Sequence, residues 1–173
     1  MENYVPDMYQ NNIFTVNYQK LKTQGIKCLL FDLDNTLVPY RLKTSDSKTK
    51  ELFDKLKDMG FKVIIFSNSP RIRVKPFKEE LEVEIISSAK KPSKCSFENI
   101  MSTYKYNETE IAIIGDQLLT DILGGNRVGI TTILVNPIDS FDPIWTRINR
   151  ILENKKMKKL RDHNLFVKGR FYE

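Results

Sequence analysis

The sequence contains little cysteine or histidine and no long hydrophobic run. Its two cysteines, Cys28 and Cys95, lie in or beside apolar stretches and form no C-x-x-C or Cys/His ligand spacing. Neither a disulfide framework nor a zinc site is therefore predicted, and the reducing cytoplasm is the expected location. His163, the single histidine, lies in a basic C-terminal segment away from every motif, so we expect no catalytic role for it.

Two further absences concern membranes and secretion. No apolar run approaches the roughly 18 residues that a helix needs to span a bilayer. The first residues, MENYVPDMYQNN, are acidic and polar where a signal peptide would be basic and then apolar, so a soluble, unprocessed chain is expected. The net charge of +6 and the pI of about 9.2 favour an anionic partner: a phosphate ester, a nucleic acid or an acidic membrane surface. A solvated basic surface explains the same charge.

Short, branched apolar runs alternate with helix-length segments through the middle of the chain. A chain of 173 residues, 40% of them apolar, suits one folded unit with its own core. The runs are too continuous for strands buried on one face only. They predict an α/β fold, a Rossmann-like three-layer sandwich around a central parallel sheet. The predicted strands are residues 27–32, 61–68, 83–86, 110–116 and 131–136.

Helices are predicted between these strands, where apolar residues recur three or four positions apart. Ser45 or Asp46 can cap the first helix, and Gly60 is placed to end it. The Gly124-Gly125 pair ends or kinks the helix that follows the fourth strand. After the second strand, Pro76 interrupts any helix, so the structure of that segment stays open.

The flanks of the chain differ in composition from this core. Residues 1–24 form a predicted amphipathic arm that packs on the core, residues 25–136 hold the core, and residues 137–173 form a helical, basic C-terminal extension. Within the extension a helix is predicted from Pro143, a residue suited to a first helical turn, to about Lys156.

Polar side chains follow the predicted strands at the points where those strands end. In a parallel sheet the carboxyl ends of the strands form one edge, and the ligand crevice lies beyond it. Residues in these positions are therefore candidates for a binding or catalytic site. They are Asp32, Asp34, Ser67, Asn68, Lys90, Lys91, Asp116 and Asp121.

Asp32 and Asp34 are two residues apart in extended backbone, which directs both carboxylates toward the crevice while Leu33 faces the core. Two adjacent anions repel each other, so they are tolerable if a divalent cation lies between them or if one holds a proton. Mg²⁺ prefers hard oxygen ligands, and Asp32 and Asp116 could supply the carboxylates. Both alternatives, a cation between the two carboxylates or a proton on one of them, suit phosphate chemistry.

The remaining candidates fit the attack of a carboxylate on a phosphate monoester. The ammonium group of Lys91 can neutralise the incoming negative charge. The hydroxyl and amides of Ser67 and Asn68 can hydrogen-bond the phosphoryl oxygens, as a helix N-terminus holds an anion. A protonated Asp34 would give its proton to the leaving alcohol and later take one from the water that hydrolyses the phosphate on Asp32.

Four motifs, in order, resemble those of the haloacid dehalogenase superfamily of phosphohydrolases. They are FDLDNTL, FSN, the lysine before Pro92, and GDQLLTD. The resemblance implies an Mg²⁺-dependent phosphatase that works through an aspartyl-phosphate. By this resemblance Asp32 is the nucleophile, and Asp34 is the general acid/base and also a metal ligand through its main-chain carbonyl. Ser67 binds the phosphate, and Lys91 rather than Lys90 is the charge-neutralising lysine. Asp116 and Asp121 lie at or near Mg²⁺.

More narrowly, the chain resembles the YqeG-like branch of subclass IIIA, which is related to phosphatidylglycerophosphate phosphatases. The stretches that carry this likeness are GIKCLLFDLDNTLVPY, SNSPRIRV, AKKP and IIGDQLLTDILGGNRVGITTILVNPI. The likeness extends over about residues 3–152. Ser69-Pro70 departs from it, since a more polar residue such as asparagine is expected there, and the departure affects the predicted shape of the loop.

Neither gap between the motifs has room for a cap domain, which in many relatives closes the site over small metabolites. About 32 residues separate Asp34 from Ser67, and about 23 separate Ser67 from Lys91. An open, capless site suits a substrate whose bulk stays outside, such as a lipid headgroup, a polymer-borne sugar phosphate or a phosphoprotein. Arg71 and Arg73 could contact a second anionic group of that substrate, although arginines are common at such surface positions.

Two other partners are compatible with the basic charge. A binding module could retain the fold and use its basic surface on RNA or ribosomes, but the intact catalytic set argues against a purely binding role. The basic end, with seven lysines and arginines between Lys155 and Arg170, could instead hold the open site against an anionic membrane. That contact would be peripheral and sensitive to salt.

Overall fold

A parallel sheet forms the centre of the computed structural model, which describes residues 2–139 and 144–173 and the side chains of all of these except 144–148. Its strands are β1 Met8–Gln10, β2 Cys28–Phe31, β3 Lys62–Phe66, β4 Glu84–Ile86, β5 Ile111–Gly115 and β6 Thr131–Val135. They lie in the order β1-β6-β5-β2-β3-β4, and every neighbouring pair is parallel. The predicted α/β fold is confirmed.

Helices cover both faces of this sheet. They are α1 Tyr18–Thr23, α2 Ser47–Asp58, α3 Arg71–Leu81, α4 Lys94–Tyr104, α5 Leu123–Val128 and α6 Ile144–Asp162, with a π-helical turn at Leu118–Ile122 before α5. Side chains alternate between the faces along β2. Leu29 joins a core that contains Phe53 of α2, whereas Leu30 joins a core that contains Phe97 of α4. The sheet is thus the middle of three layers.

The ends of α2 follow the predicted cap and stop residues. The side chain of Asp46 accepts a hydrogen bond from the main-chain N–H of Thr49 at 2.8 Å, as an N-cap residue does. Gly60 follows the helix at φ +90°, a conformation that costs glycine little. Phe53 and Leu56 are fully buried between the helix and the sheet.

Helix α3 continues through Pro76, where the sequence indicates an interruption. Pro76 lacks the N–H that would reach the carbonyl of Ile72 one turn earlier. Ile72 is 86% exposed, so water can serve that carbonyl instead. On the opposite side of the helix, Val74 and Phe77 are fully buried in the core and hold α3 on the sheet.

Helix α5 continues through Gly124 and Gly125, where the sequence indicates an end or a kink. A Cβ at Gly124 would lie 2.7 Å from the Phe97 ring, and one at Gly125 would lie 2.5 Å from the methyl group of Thr132. The two glycines therefore let α5 approach α4 and the sheet closely. The helix ends instead at Gly129, whose φ is +80°.

The two ends of the chain meet at one edge of the sheet. Met8–Gln10, within the predicted amphipathic arm, pairs with β6 as edge strand β1. Three residues are too few to show a strand period, so the pattern alone does not reveal this strand. Tyr172 exchanges main-chain hydrogen bonds of 2.9 and 3.0 Å with Tyr9 and covers the outer side of β1. The division into arm, core and extension stays a prediction.

The C-terminal segment packs on the core beside β1. Helix α6 extends to Asp162, beyond the predicted end near Lys156, because Leu160 is fully buried in a cluster with Tyr9 and Phe166. The predicted helix start at Pro143 lies outside the described residues. In the described parts of the chain, no helix combines the length and the apolar character that a bilayer span requires.

Candidate active site

Four buried charged side chains meet at the carboxyl edge of the sheet. Asp32 follows β2, Lys91 follows β4, and Asp116 and Asp121 follow β5. Each aspartate offers a carboxylate oxygen, and these three oxygens lie within 4.8 Å of one another. The Lys91 Nζ donates to Asp32 Oδ1 at 2.7 Å, to Asp121 Oδ1 at 2.6 Å and to the Phe66 carbonyl at 2.7 Å. We call this group of four side chains the carboxylate–lysine cluster.

Lys91 and Lys90 have opposite environments. The side chain of Lys91 is 1% exposed, whereas Lys90 is exposed. The Asn68 side chain holds the Lys91 main chain, accepting from its N–H at 2.7 Å and donating to its carbonyl at 3.0 Å. Burial lowers the pKa of Lys91, but the Asp121 and Asp32 carboxylates outweigh burial and raise that pKa above its usual value. The ammonium group therefore stays charged.

The cluster contains three carboxylates but only one ammonium group, that of Lys91. Burial raises the pKa of Asp116. The ion pair with Arg150 opposes this rise, and the Asp32 carboxylate adds to it. Burial also raises the pKa of Asp121, although its ion pair with Lys91 opposes the rise. A divalent cation with oxygen ligands would relieve this repulsion, so the cluster fits such an ion.

Asp121 depends on a glycine and on the π-helical turn that contains it. A Cβ at Gly115 would lie 2.3 Å from the Asp121 carboxyl carbon, so the missing side chain makes room for the carboxylate. The Asp121 Oδ2 accepts a hydrogen bond from the Gln117 main-chain N–H at 3.2 Å. The G-D-x-x-x-x-D spacing thus folds back on itself and delivers both aspartates to one place.

The Asp34 carboxylate has different partners. It accepts hydrogen bonds from Ser69 Oγ at 2.5 Å, and from Nε and Nη2 of Arg73 at 3.0 and 2.8 Å. Burial raises the pKa of Asp34, with a contribution from the nearby Asp32 charge; the Ser69 and Arg73 contacts oppose the rise without cancelling it. The protonated form is therefore more accessible than for a carboxyl group in water. Asp34 does not belong to the three-carboxylate group, and its predicted metal contact is through its main chain.

Ser67 and Asn68 lie in the same loop, but their side chains are placed differently. Ser67, at 2% exposed, is buried at the end of β3, and its Oγ accepts a hydrogen bond from the Ser69 main-chain N–H at 3.1 Å. The Asn68 side chain is engaged with the main chain of Lys91. A phosphate contact from Asn68 would thus come from its main-chain amide, which leaves Ser67 as the hydroxyl candidate.

The sequence alone does not single out Arg150 and Glu153 of α6, although both contact the site. Arg150 pairs with the Asp116 carboxylate and donates to the Asp116 carbonyl at 3.0 Å. Buried Glu153 accepts from Arg150 at 3.1 Å and from the Leu119 main-chain N–H at 3.0 Å. Thr36 donates to Asp116 Oδ1 at 3.0 Å from the other side. The two α6 residues stand among many charged residues, so no sequence signal distinguishes them.

Comparison with known proteins identifies the family to which this chain belongs. Residues 2–139 match the family described as mitochondrial PGP phosphatase. The chain belongs to that family. It is 40% identical over 158 residues to the probable phosphatase YqeG of Bacillus subtilis (strain 168), a match that covers 91% of this chain and 92% of that one. The predicted resemblance to YqeG-like haloacid dehalogenase phosphatases is confirmed, and the chain is a phosphatase of that type.

More distant relatives share the fold or part of the sequence. The chain is 26% identical over 171 residues to phosphatidylglycerophosphate phosphatase 1, chloroplastic/mitochondrial, of Arabidopsis thaliana, covering 90% of this chain and 47% of that protein. The cobalt-bound deoxy-D-mannose-octulosonate 8-phosphate phosphatase of Haemophilus influenzae superposes with a TM-score of 0.56 at 13% identity, over 80% of this chain and 94% of that one. The second likeness shows the shared fold.

Membership in the family bears on whether the carboxylate–lysine cluster can hold a metal ion. Phosphatases of the haloacid dehalogenase type generally use a divalent metal ion, and the buried aspartates at the carboxyl edge are residues that could hold one. No cap domain is inserted between the motifs. Residues 35–90, all described by the structure, contain α2, α3 and two strands, with no additional unit that could cover the site.

Proposed function

We propose that this phosphatase hydrolyses a phosphate monoester through an aspartyl-phosphate on Asp32, with Mg²⁺ as its metal, and that its substrate is a lipid phosphate of the phosphatidylglycerophosphate class. The ion pair between Asp32 and Lys91 inside the three-carboxylate group carries this proposal. The family and the Arabidopsis relative support the lipid substrate. The absence of a cap between residues 35 and 90 suits a substrate whose bulk lies outside the protein.

In the proposed first step, an oxygen of Asp32 attacks the phosphorus atom, and the bond from phosphorus to the alcohol oxygen breaks. Lys91 fixes the orientation of Asp32 and neutralises charge beside it, and the Ser67 hydroxyl binds a phosphoryl oxygen. Asp34 gives its proton to the departing alcohol. Mg²⁺, held by Asp32, Asp116, Asp121 and the Asp34 carbonyl, would offset the negative charge of the phosphoryl group.

In the second step, water attacks the phosphorus atom and the bond to Asp32 breaks. Asp34, now ionised, takes a proton from that water and returns to its initial state. The contacts from Ser69 and Arg73 hold the Asp34 carboxyl group in one orientation for both transfers. Arg73, whose side chain also donates to the Leu42 carbonyl, is therefore a positioning residue rather than a contact for a second anion.

Replacing Asp34 by asparagine tests its proton-transfer role. We expect Asp34→Asn to lower turnover of an alkyl phosphate by about 10²- to 10⁴-fold, because no proton reaches the leaving alcohol. The loss should be much smaller with an aryl phosphate, since its leaving group departs without a proton. Turnover of matched aryl and alkyl phosphates measures the difference. Equal losses on both would assign Asp34 a structural role instead.

Metal removal tests the proposed role of Mg²⁺. We expect a metal-stripped sample to release no phosphate from a generic aryl phosphate in excess EDTA, and added Mg²⁺ to restore the activity. Ca²⁺ should inhibit, because it prefers more ligands and longer bonds and would draw a second oxygen of Asp32 away from in-line attack. Phosphate release is the measurement. Full activity of the stripped sample in EDTA would rule out the mechanism.

We also propose a cytoplasmic location, and a lipid substrate would require peripheral contact with a membrane. From the sequence, the basic C-terminus is one candidate for that contact. Deleting residues 157–173 to test this contact would also disturb the fold, because Leu160 and Phe166 are buried and Tyr172 covers β1. Neutralising the exposed Lys158 and Lys159 leaves that packing intact and tests the charge alone.

A further inference from the structure

Large apolar side chains are exposed around the carboxyl edge of the sheet. Four of them lie in loops, or in a first helical turn, directly after strands β1, β2, β3 and β6. They are Phe14 (48% exposed), Leu42 (50%), Ile72 (86%) and Ile138 (49%), and we call them the apolar rim. Because all these strands are parallel, the rim occupies the same edge as the carboxylate–lysine cluster.

A groove of about 500 Å³ connects three members of the rim. Its apolar lining consists mainly of Ile13, Phe14, Leu37, Val38, Leu42 and Ile138. The groove reaches the catalytic loop, since the main-chain N–H of Ile138 donates to the carbonyl of Asn35, the residue after Asp34, at 2.9 Å. The groove lining therefore begins at Thr36, two residues after the proposed acid/base group.

The charges on this edge are mostly positive. Lys43, Arg71 and Lys90 are exposed in the loops and first turns that carry the rim or adjoin it. The acids among them are exposed Asp46 and half-buried Asp139, whereas the catalytic aspartates are buried or half-buried. A flat partner with anionic headgroups above an apolar interior matches both the positive charge and the separate, protruding apolar side chains.

We propose that the apolar rim docks on an anionic phospholipid bilayer, with Phe14, Leu42, Ile72 and Ile138 in its interface and the basic side chains among its headgroups. This inference rests on the proposed function, because the docked orientation turns the carboxylate–lysine cluster toward the membrane. The phosphate of a lipid then reaches Asp32 while its acyl chains stay in the bilayer. The membrane contact lies at the catalytic edge rather than at the basic C-terminus.

Vesicle co-sedimentation tests the rim directly. We use vesicles of phosphatidylcholine alone and of phosphatidylcholine mixed with phosphatidylglycerol, at low and high salt. Wild type should bind the anionic vesicles, more tightly at low salt, and the double variant Phe14→Ser/Ile72→Ser should bind them at least about tenfold more weakly. The single variant Ile72→Ser, at the most exposed position, should show part of this loss and guards against misfolding of the double variant.

Matched controls lie away from the rim. Leu165→Ser removes an apolar side chain that is 40% exposed just beyond α6, and the helix end at Asp162 lies about 18 Å along the helix from Arg150. Lys158→Gln/Lys159→Gln removes the same charge as Lys43→Gln/Arg71→Gln. We expect the rim and Lys43/Arg71 variants to lose vesicle binding and the controls to keep it. The unfolding midpoint is measured for every variant.

A catalytic measurement separates the docking proposal from the proposed function. The rim variants should lower turnover of a vesicle-borne lipid phosphate relative to a soluble aryl phosphate by at least about tenfold. Absence of wild-type aryl phosphatase activity would refute the proposed function, whereas aryl phosphatase activity without vesicle binding would refute docking. Docking at the rim is also overturned by equal binding to neutral and anionic vesicles, by loss of binding only in the Lys158/Lys159 variant, or by binding of single-stranded RNA without vesicle binding.

Discussion

Replacing Asp32 by asparagine is expected to reduce turnover by at least about 10³-fold while the fold is retained, because an amide has the size of a carboxylate but is no nucleophile. The amide oxygen can still accept the Lys91 hydrogen bond that Asp32 Oδ1 accepts at 2.7 Å. Removing one negative charge also relieves repulsion with Asp116 and Asp121. Phosphate release measures turnover, and thermal unfolding without metal should show a midpoint no lower than that of wild type.

An exposed aspartate provides the matched control. Asp58 lies at the end of α2, away from the carboxyl edge, and Asp58→Asn changes the same functional group without touching the site. Its turnover should equal that of wild type. If purified Asp32→Asn keeps activity within about tenfold of wild type, Asp32 is not the nucleophile and the covalent mechanism is wrong.

Replacing Lys91 by methionine is expected to damage both stability and activity. Its ammonium group pairs with Asp32 and Asp121 in a buried setting, and breaking such a pair leaves uncompensated charge, which typically costs about 3–5 kcal/mol of the free energy of unfolding. Turnover should fall by at least about 10²-fold, because the charge beside the nucleophile is lost. Chemical denaturation with and without Mg²⁺ measures the first effect, and added Mg²⁺ should restore part of the lost stability.

Lys90 is a closely matched control, one residue away and exposed. Its φ of +56° is unusual, but methionine is no more restricted there than lysine. We expect Lys90→Met to change the free energy of unfolding by less than about 0.5 kcal/mol and to leave turnover unaffected. A Lys91→Met protein as stable as Lys90→Met would mean that the ion pairs of Lys91 contribute nothing to the fold.

Much of the fold was predictable because continuous apolar runs indicate strands buried on both faces. The rule that ligands bind beyond the carboxyl ends of parallel strands then predicted where the site lies. Asp32, Lys91, Asp116 and Asp121 come together for that reason, although they come from three distant segments of the chain. The roles of these residues in catalysis stay proposals that the substitutions above test.

Features that depend on contacts between distant parts of the chain were not predictable from local patterns. Strand β1 is too short to show a period, and only its pairing with β6 defines it. Gly124 lies inside its helix as a packing residue, because Phe97 leaves no room there for a side chain. Arg150 resembles its many charged neighbours in α6 until the structure shows it beside Asp116.

The bridge between Tyr9 and Tyr172 has a consequence for how the molecule assembles. Contacts between residues so far apart in sequence form late, since ordering the whole intervening chain is entropically unfavourable until other contacts hold it. Strand β1 also needs β6 as its partner, so it cannot pair before most of the sheet exists. During synthesis and refolding, the outer side of β1 is therefore left uncovered until Tyr172 is made and paired with Tyr9. In that interval the nascent protein is most vulnerable to pairing with another chain.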